Sequence, residues 1–346
     1  MGNKTDERCL HSIVFVHGLG GHPYKTWACP RKKNATAGKA RRESPSNTEP
    51  DSLNRPNLLV RLLGTLGCGS EGTSETGDES PRRVPSSDGT CSRDSDGEVY
   101  WPRDLLAGEA PCQKARILAY GYDSKVTRGY GNASQNNLFM HAKDLLYTLQ
   151  REKPARMPVI FIAHSLGGLL VKEVLRRSEA SEELEFKDIV KSTKGIIFLG
   201  TPHRGSPGMA DLGETVRNIA STVLRVDSNA TLLRALGTDS PELELGRESF
   251  TALWRIYGFR VKTFQEAWGI SGVNVGPLNA KVVPDISSML DDPREHAETI
   301  SANHMDMCRF DSRYDAGYRK VSQEIGSMIL SGRVGTSAPR IVFAFN

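Results

Sequence analysis

Apolar residues along this chain fall into two alternating patterns. Short unbroken runs, SIVFVHG (12–18), ARILAYGY (115–122), PVIFIAH (158–164), GIIFLGTP (195–202) and RVKTFQE (260–266), have the length and continuity of strands covered on both faces. Between them the period lengthens. SQNNLFMHAKDLLYTLQREK (134–153) sets Leu138, Ala142, Leu145, Leu146 and Leu149 on one helical face, LLVKEVLRRSE (169–179) reads as a second helix, and ESFTALWRIYG (248–258) as a third that stops near Gly258. A closing helix is expected between Asp311 and Ser331, with Tyr318, Val321, Ile325 and Met328 as its buried stripe. Strand alternating with helix predicts an α/β fold built on a mostly parallel, doubly wound sheet. Its 346 residues can bury one large core, and the pattern predicts a single domain over 1–346 with insertions.

Two segments break the rhythm. Residues 30–98 are dominated by Ser, Thr, Gly, Pro, Asp, Glu and Arg, and only NLLVRLLGTLG (57–67) could hold a short helix, so a largely disordered insertion is expected. Residues 207–247, with MADLGETVRNIASTVLRV and ATLLRALG, read as amphipathic helices inserted between two strands, forming either a lid or an added packing layer.

Charge and cysteine usage narrow the function classes. The formal net charge is only +4, and much of the positive charge sits in one polar stretch around Arg31, Lys32, Lys33, Lys39, Arg41 and Arg42. Such a stretch reads as a solvated loop, and no nucleic-acid partner is expected. Six cysteines (Cys9, Cys29, Cys68, Cys91, Cys112, Cys308) lack CxxC pairing or other metal-ligand spacing, which predicts free thiols in a reducing, cytoplasmic setting and no metal. No apolar leader precedes a small-residue cleavage site, and no window approaches the roughly 18 apolar residues of a membrane span. Asp6 stands where a myristoylation signal wants Ser or Thr, and the sequons at Asn3, Asn34, Asn132 and Asn229 carry no weight without secretion. The expectation is a soluble protein, or one in peripheral contact with a membrane.

The chemistry begins at VIFIAHSLGGLLVKEVL (159–175), where an apolar strand runs into His164-Ser165-Leu166-Gly167-Gly168 and then into an apolar helix. A serine on such a turn, with small residues two positions either side (Ala163 and Gly167), fits the nucleophile elbow GxSxG, alanine replacing the first glycine. The elbow lifts the hydroxyl clear of the sheet and aims the Leu166 N–H at a developing oxyanion. The competing reading makes Ser165 a helix N-cap. A second element favours the elbow: SIVFVHGLGGHPYKTW (12–27) ends a strand in His17-Gly18-Leu19-Gly20-Gly21, where such a loop supplies the other oxyanion donor, here the Leu19 N–H. GLGG lacks both GxxxxGK[ST] and GxGxxG spacing, which argues against a phosphate loop.

A serine nucleophile needs a base that follows it in the order Ser, acid, His. Only His296 and His304 lie late enough. His304, after the strand-like ETISAN (298–303), is the candidate base, while His296 in DDPREHAE reads as surface. His164 and His203 are expected to be structural or rim residues. The acid is left between Glu266, at the end of RVKTFQE, and Asp285, after the short strand-like KVV (281–283). Glu266 is preferred, and Asp291 and Asp292 read as exposed loop residues.

Together HGLGGHPYKTW, YWPRDLL (100–106), ARILAYGYDS (115–124), FIAHSLGGLLVKEVL, GIIFLGTPHRGS (195–206) and ANHMDMCRF (302–310) resemble the lipase-like α/β-hydrolase domains of the serine-active-site-containing protein family. Closely similar domains form the N-terminus of many fungal NOD-like receptors. The resemblance spans nearly the whole chain outside 30–98. It implies an α/β-hydrolase fold with a helical lid-like insertion, with Ser165 and His304 on the family's nucleophile and histidine positions and Glu266 on its F-x-E position. No nucleotide-binding or repeat region follows within these 346 residues, so a hydrolase module is expected rather than a complete receptor.

The expected function is a serine hydrolase that cleaves a carboxylic ester, thioester or lipid acyl group through an acyl-enzyme, with no cofactor. The same residues would serve an acyltransferase or a lactone-forming cyclase if water were excluded. A non-catalytic signalling or scaffold module is the alternative from another class.

Overall fold

The computed structural model describes residues 10–30, 97–122, 138–204, 242–269 and 281–331. The chain divides into two units, Met1–Lys32 with Gly97–Asn346, and Lys33–Asp96, and every described residue belongs to the first. The predicted insertion over 30–98, apart from its two ends, and residues 207–241 of the predicted helical insertion therefore lie outside the described residues.

Eight strands are described: β1 (His11–Val16), β2 (Ala28–Pro30), β3 (Glu98–Tyr100), β4 (Ala115–Tyr120), β5 (Val159–His164), β6 (Thr193–Leu199), β7 (Arg260–Trp268) and β8 (His296–Asn303). Six of them form one sheet in the order β4-β1-β5-β6-β7-β8, each neighbouring pair parallel. Helices α1 (Trp101–Asp104), α2 (Leu138–Glu152), α3 (Gly167–Ala180), α4 (Leu184–Ser192), α5 (Glu242–Tyr257) and α6 (Ala316–Leu330) cover it.

The unbroken apolar runs are explained by the two faces. Val14, Val16, Phe161, Ala163, Ile196 and Phe198 pack with the apolar stripes of α2, α3 and α5. The alternate residues Ile13, Phe15, Ile160, Ile162, Ile197 and Leu199 pack with α6 and with Trp27 and Trp101. The period-2 alternation of a strand sends neighbours to opposite sides, so burial on both demands apolar residues at every position. All five residues of the predicted α2 face and all four of the α6 stripe are buried. Asp315 caps α6, its side chain accepting from the Tyr318 amide at 3.0 Å.

The structure departs from the sequence pattern in four places. Pro30 and Glu98, the ends of the predicted insertion, pair with each other in an antiparallel ribbon that also joins Ala28 to Tyr100 and Cys29 to Val99. Trp27 and Trp101 flank this ribbon and pack edge-on against Phe15 at 5.0 and 5.1 Å, so the roots of the long excursion are anchored in the core. The helix expected over 248–258 begins earlier, at Glu242. Helix α4, whose sequence is mostly polar, buries Phe186, Ile189 and Val190. KVV (281–283) is irregular backbone leading into a turn and not a strand: both edges of β7 are already occupied by β6 and β8.

Among the described residues Cys112 and Cys308 are free thiols, and burial pushes both up to about 12. No helix among the described residues is long and apolar enough to cross a membrane.

Candidate active site

The candidate residues gather at the carboxyl ends of β1, β5, β6, β7 and β8, where a parallel sheet presents its loops. Ser165 follows β5 directly and has a left-handed backbone, φ +53°. That conformation is costly for a residue with a Cβ, and several backbone contacts hold it. The Ser165 amide donates to Leu199 O (2.9 Å), and its carbonyl accepts from the Gly168 amide (3.0 Å) and the Thr201 hydroxyl (3.0 Å). Helix α3 takes Leu166 as its N-cap with no side-chain capping bond, so the Ser165 hydroxyl is not spent on the helix end. Its Oγ lies 3.0 Å from His304 Nε2.

The small residues around the turn are required by close approach. A Cβ on Gly167 would stand 2.5 Å from His17 O, and one on Gly18 would stand 2.6 Å from Ser165 Cβ and 3.2 Å from the Leu166 nitrogen. The loop after β1 is thus pressed onto the elbow by backbone alone. It is locked on its far side: His17 Nδ1–H donates to Gly18 O at 2.9 Å, the ring stacks on Tyr122 at 4.4 Å, and the Tyr122 hydroxyl donates to His17 O at 2.9 Å. Burial lowers the His17 pKa to about 4, which keeps this ring neutral. The Leu19 and Leu166 amides have no acceptor among the described residues.

His304 stands just after β8, where Asn303 Oδ1 accepts from the Met305 and Asp306 amides (2.9 and 3.0 Å) and turns the chain. Its imidazole is buried and lies over Gly200, where a Cβ would come within 3.0 Å of Nδ1; Gly200 also has φ +56°. Glu266 reaches the same ring from β7, beside an irregularity in the β7–β8 register between Glu266 and Trp268, the kind of bulge that re-aims a side chain. Glu266 Oε1 accepts from the Val283 amide at 2.6 Å, and Oε2 lies 3.3 Å from His304 Nδ1. That pair is close but not aligned as a hydrogen bond, so both buried atoms are without a hydrogen-bond partner among the described residues. Contacts of this sort tighten when substrate binds.

Of the two acid candidates, Glu266 faces the imidazole. The Asp285 side chain is 56% exposed and pairs with Lys281 at 2.6 Å. His296 is exposed at the start of β8, Asp291 pairs with Arg204 at 2.8 Å, and Asp292 pairs with Arg294 at 2.6 Å. His203 is wholly buried edge-on to Phe198. Burial first, then the charges of Lys172 and Arg204, holds its pKa well below the usual value. Its amide donates to Ser287 O at 2.6 Å, tying the turn after β6 to the loop that clamps Glu266. Gly200, Thr201 and the Val283 amide were not singled out from sequence. GIIFLGTP contains the first two, but nothing in a linear pattern indicates that a distant imidazole will lie on that glycine. No group of three or more His, Cys, Asp or Glu side chains placed to hold a metal occurs among the described residues.

Residues 111–225, which include the elbow, match the family model described as lecithin:cholesterol acyltransferase. The six-stranded parallel sheet in the order β4-β1-β5-β6-β7-β8, with helices on both faces, is that of an α/β-hydrolase fold. Among curated proteins, the chain is 26% identical over 336 residues to Protein SERAC1 of Danio rerio, covering 96% of this chain and 41% of that protein. It is 31% identical over 265 residues to Protein SERAC1 of Homo sapiens, covering 76% of this chain and 31% of that protein. The chain therefore spans less than half the length of these relatives. Among solved structures it is similar to the peroxisomal α/β-hydrolase Lpx1 of Saccharomyces cerevisiae, with a TM-score of 0.45 and 11% identity over 99% of this chain and 84% of that one.

Proposed function

We propose that this protein is a serine hydrolase that cleaves carboxylic esters, thioesters or lipid acyl groups through an acyl-enzyme. The observation that carries the reading is the chain of contacts from Ser165 Oγ to His304 Nε2 (3.0 Å) and from His304 Nδ1 to Glu266 Oε2 (3.3 Å). In this reading Ser165 attacks the acyl carbon as His304 takes its proton. Glu266 holds the imidazole with Nδ1–H toward the carboxylate and stabilises the imidazolium. The Leu19 and Leu166 amides receive the oxyanion. Collapse of the tetrahedral intermediate expels the alcohol or thiol, which takes the proton from His304. Water, activated by the same imidazole, then releases the acid.

Acyl transfer is the second reading, favoured by the match of residues 111–225 to an acyltransferase family model. It uses the same residues, with a bound alcohol in place of water in the second half-reaction. A lactone-forming cyclase would draw that alcohol from the acyl group itself. The substrate is an ester or acyl-lipid small molecule, and contact with a membrane surface is a consequence expected only for the lipid case.

Reaction of the pure protein with a fluorophosphonate probe, beside Ser165→Ala and His304→Ala, tests the reading. Labelling that both variants lose is expected. No labelling of the wild-type protein would overturn the enzyme in favour of a scaffold module. Adding a long-chain alcohol to a p-nitrophenyl ester assay then separates transfer, which yields the new ester, from hydrolysis, which yields only the acid.

A further inference from the structure

The base reaches the nucleophile over a considerable span. Ser165 leaves β5 and His304 follows β8, with β6 and β7 between them in the sheet. Three inter-strand steps amount to about 14 Å, more than an imidazole side chain can bridge, so the backbone of the loop after β8 must itself come across the sheet. Something must hold it there.

We propose that His164 is the positioning residue that does so: its Nε2–H donates to the main-chain carbonyl of His304 at 2.8 Å and fastens the base loop to the residue immediately before the nucleophile. The proposal rests on the reading of Ser165 and His304 given above.

Three observations support it. A carbonyl can only accept, so Nε2 of His164 carries the proton and the tautomer is set by the bond itself. The period-2 alternation along β5 puts His164 on the face of Ile160 and Ile162, beside Trp27 at 6.5 Å and the His304 ring at 4.9 Å, in a buried site where a donor without an acceptor would be costly. Burial, and next the neighbouring His304, lower the His164 pKa to about 3. The tether is therefore a neutral donor that adds no positive charge beside the imidazolium His304 becomes during turnover. Residues 164 and 304 are 140 positions apart, so one bond ties the nucleophile's turn to the base across two strands.

The test is steady-state kinetics of the full chain on p-nitrophenyl butyrate for His164→Gln and His164→Asn, with thermal melts alongside. The glutamine amide places an N–H where Nε2 stands, whereas the asparagine amide falls short of it. The expected result is kcat within about 5-fold of wild type for His164→Gln. For His164→Asn we expect kcat reduced by roughly 30- to 100-fold with KM changed less than about 3-fold, the size of effect that a misplacement of about 1 Å produces. Equal losses in the two variants, or an asparagine variant within about 3-fold of wild type, would overturn the proposal. If His164→Asn does not fold, NMR of the wild-type protein with ¹⁵N-labelled histidine decides. A slowly exchanging Nε2–H on His164 is expected, and a solvent-exchanging or absent one overturns the tether. Failure of the triad reading is separate, because it would show as a wild-type protein that neither turns over ester nor takes up fluorophosphonate.

Discussion

Two buried ionisable pairs in this protein are built in opposite ways. Lys153, its side chain 2% exposed, spends its ammonium on Asp188 Oδ2 (2.7 Å), Pro154 O (3.2 Å), Met157 O (3.3 Å) and Ser192 Oγ (3.3 Å). Asp188 is saturated in turn by the Arg156 amide (2.9 Å) and Ser192 (3.0 Å). Glu266 and His304, each 1% exposed at the side chain, face each other at 3.3 Å with the facing atoms unbonded. A saturated cluster has nothing left to give a substrate and serves the fold, clamping the α2–β5 turn to α4. An incompletely satisfied one, held by packing and by bonds to its outer atoms while the two facing atoms stay unbonded, keeps an unmet demand that a reacting group can meet.

The largest effect is expected from removing the Ser165 hydroxyl. Ser165→Ala is expected to lower ester turnover by about 10⁴-fold or more while leaving the melting temperature essentially unchanged, since only a hydroxyl bonded to His304 is lost; residual turnover within 100-fold would place the chemistry elsewhere. Glu266→Gln follows at about 10³- to 10⁴-fold, because the amide can present an N–H to Nδ1 and favour the wrong tautomer. Asp285→Asn, measured beside it, is expected to stay within about 3-fold. Lys153→Met reverses the pattern: it should cost about 2–3 kcal/mol in denaturant unfolding, below the range for a fully buried pair because the Asp188 side chain is 20% exposed, with kcat of the folded protein unchanged.

The smallest effect is electrostatic. Burial works to raise the Asp188 pKa, but the bond from Lys153, then the Arg156 amide, the Lys153 charge and Ser192, overcome it and hold the carboxyl below its usual range. A group whose folded pKa is depressed contributes stability that is present above its unfolded pKa, near 4, and is lost as pH falls through the folded value. Asp188→Asn should therefore flatten the loss of stability below about pH 4 relative to wild type, and a melt series from pH 6 to 2.5 reads it. An unchanged slope would mean that the lysine cluster contributes no such term.

What the amino-acid pattern alone carries follows from where each signal lives. The strands β1, β4, β5, β6 and β7 and the faces of α2 and α6 were legible because burial on one or both sides writes itself into periodicity over a dozen residues. Helix α4 was not, because its three buried apolar residues, Phe186, Ile189 and Val190, sit among mostly polar ones, and its remaining apolar residue, Leu184, is exposed. KVV resembles a strand locally, but with both edges of β7 occupied it stays irregular backbone.

The local chemistry of the elbow belongs to the sequence by itself. A small residue, a serine and two glycines between an apolar strand and an apolar helix can make that turn in few other ways, because the sterics act within five consecutive residues. The choice of Glu266 over Asp285 to face the imidazole, the vacated space at Gly200, and the bond from His164 to the carbonyl of residue 304 were decided only by the tertiary structure. Each depends on which strands become neighbours and where a register slips, and a one-residue shift in that pairing would turn the same side chains to the opposite face.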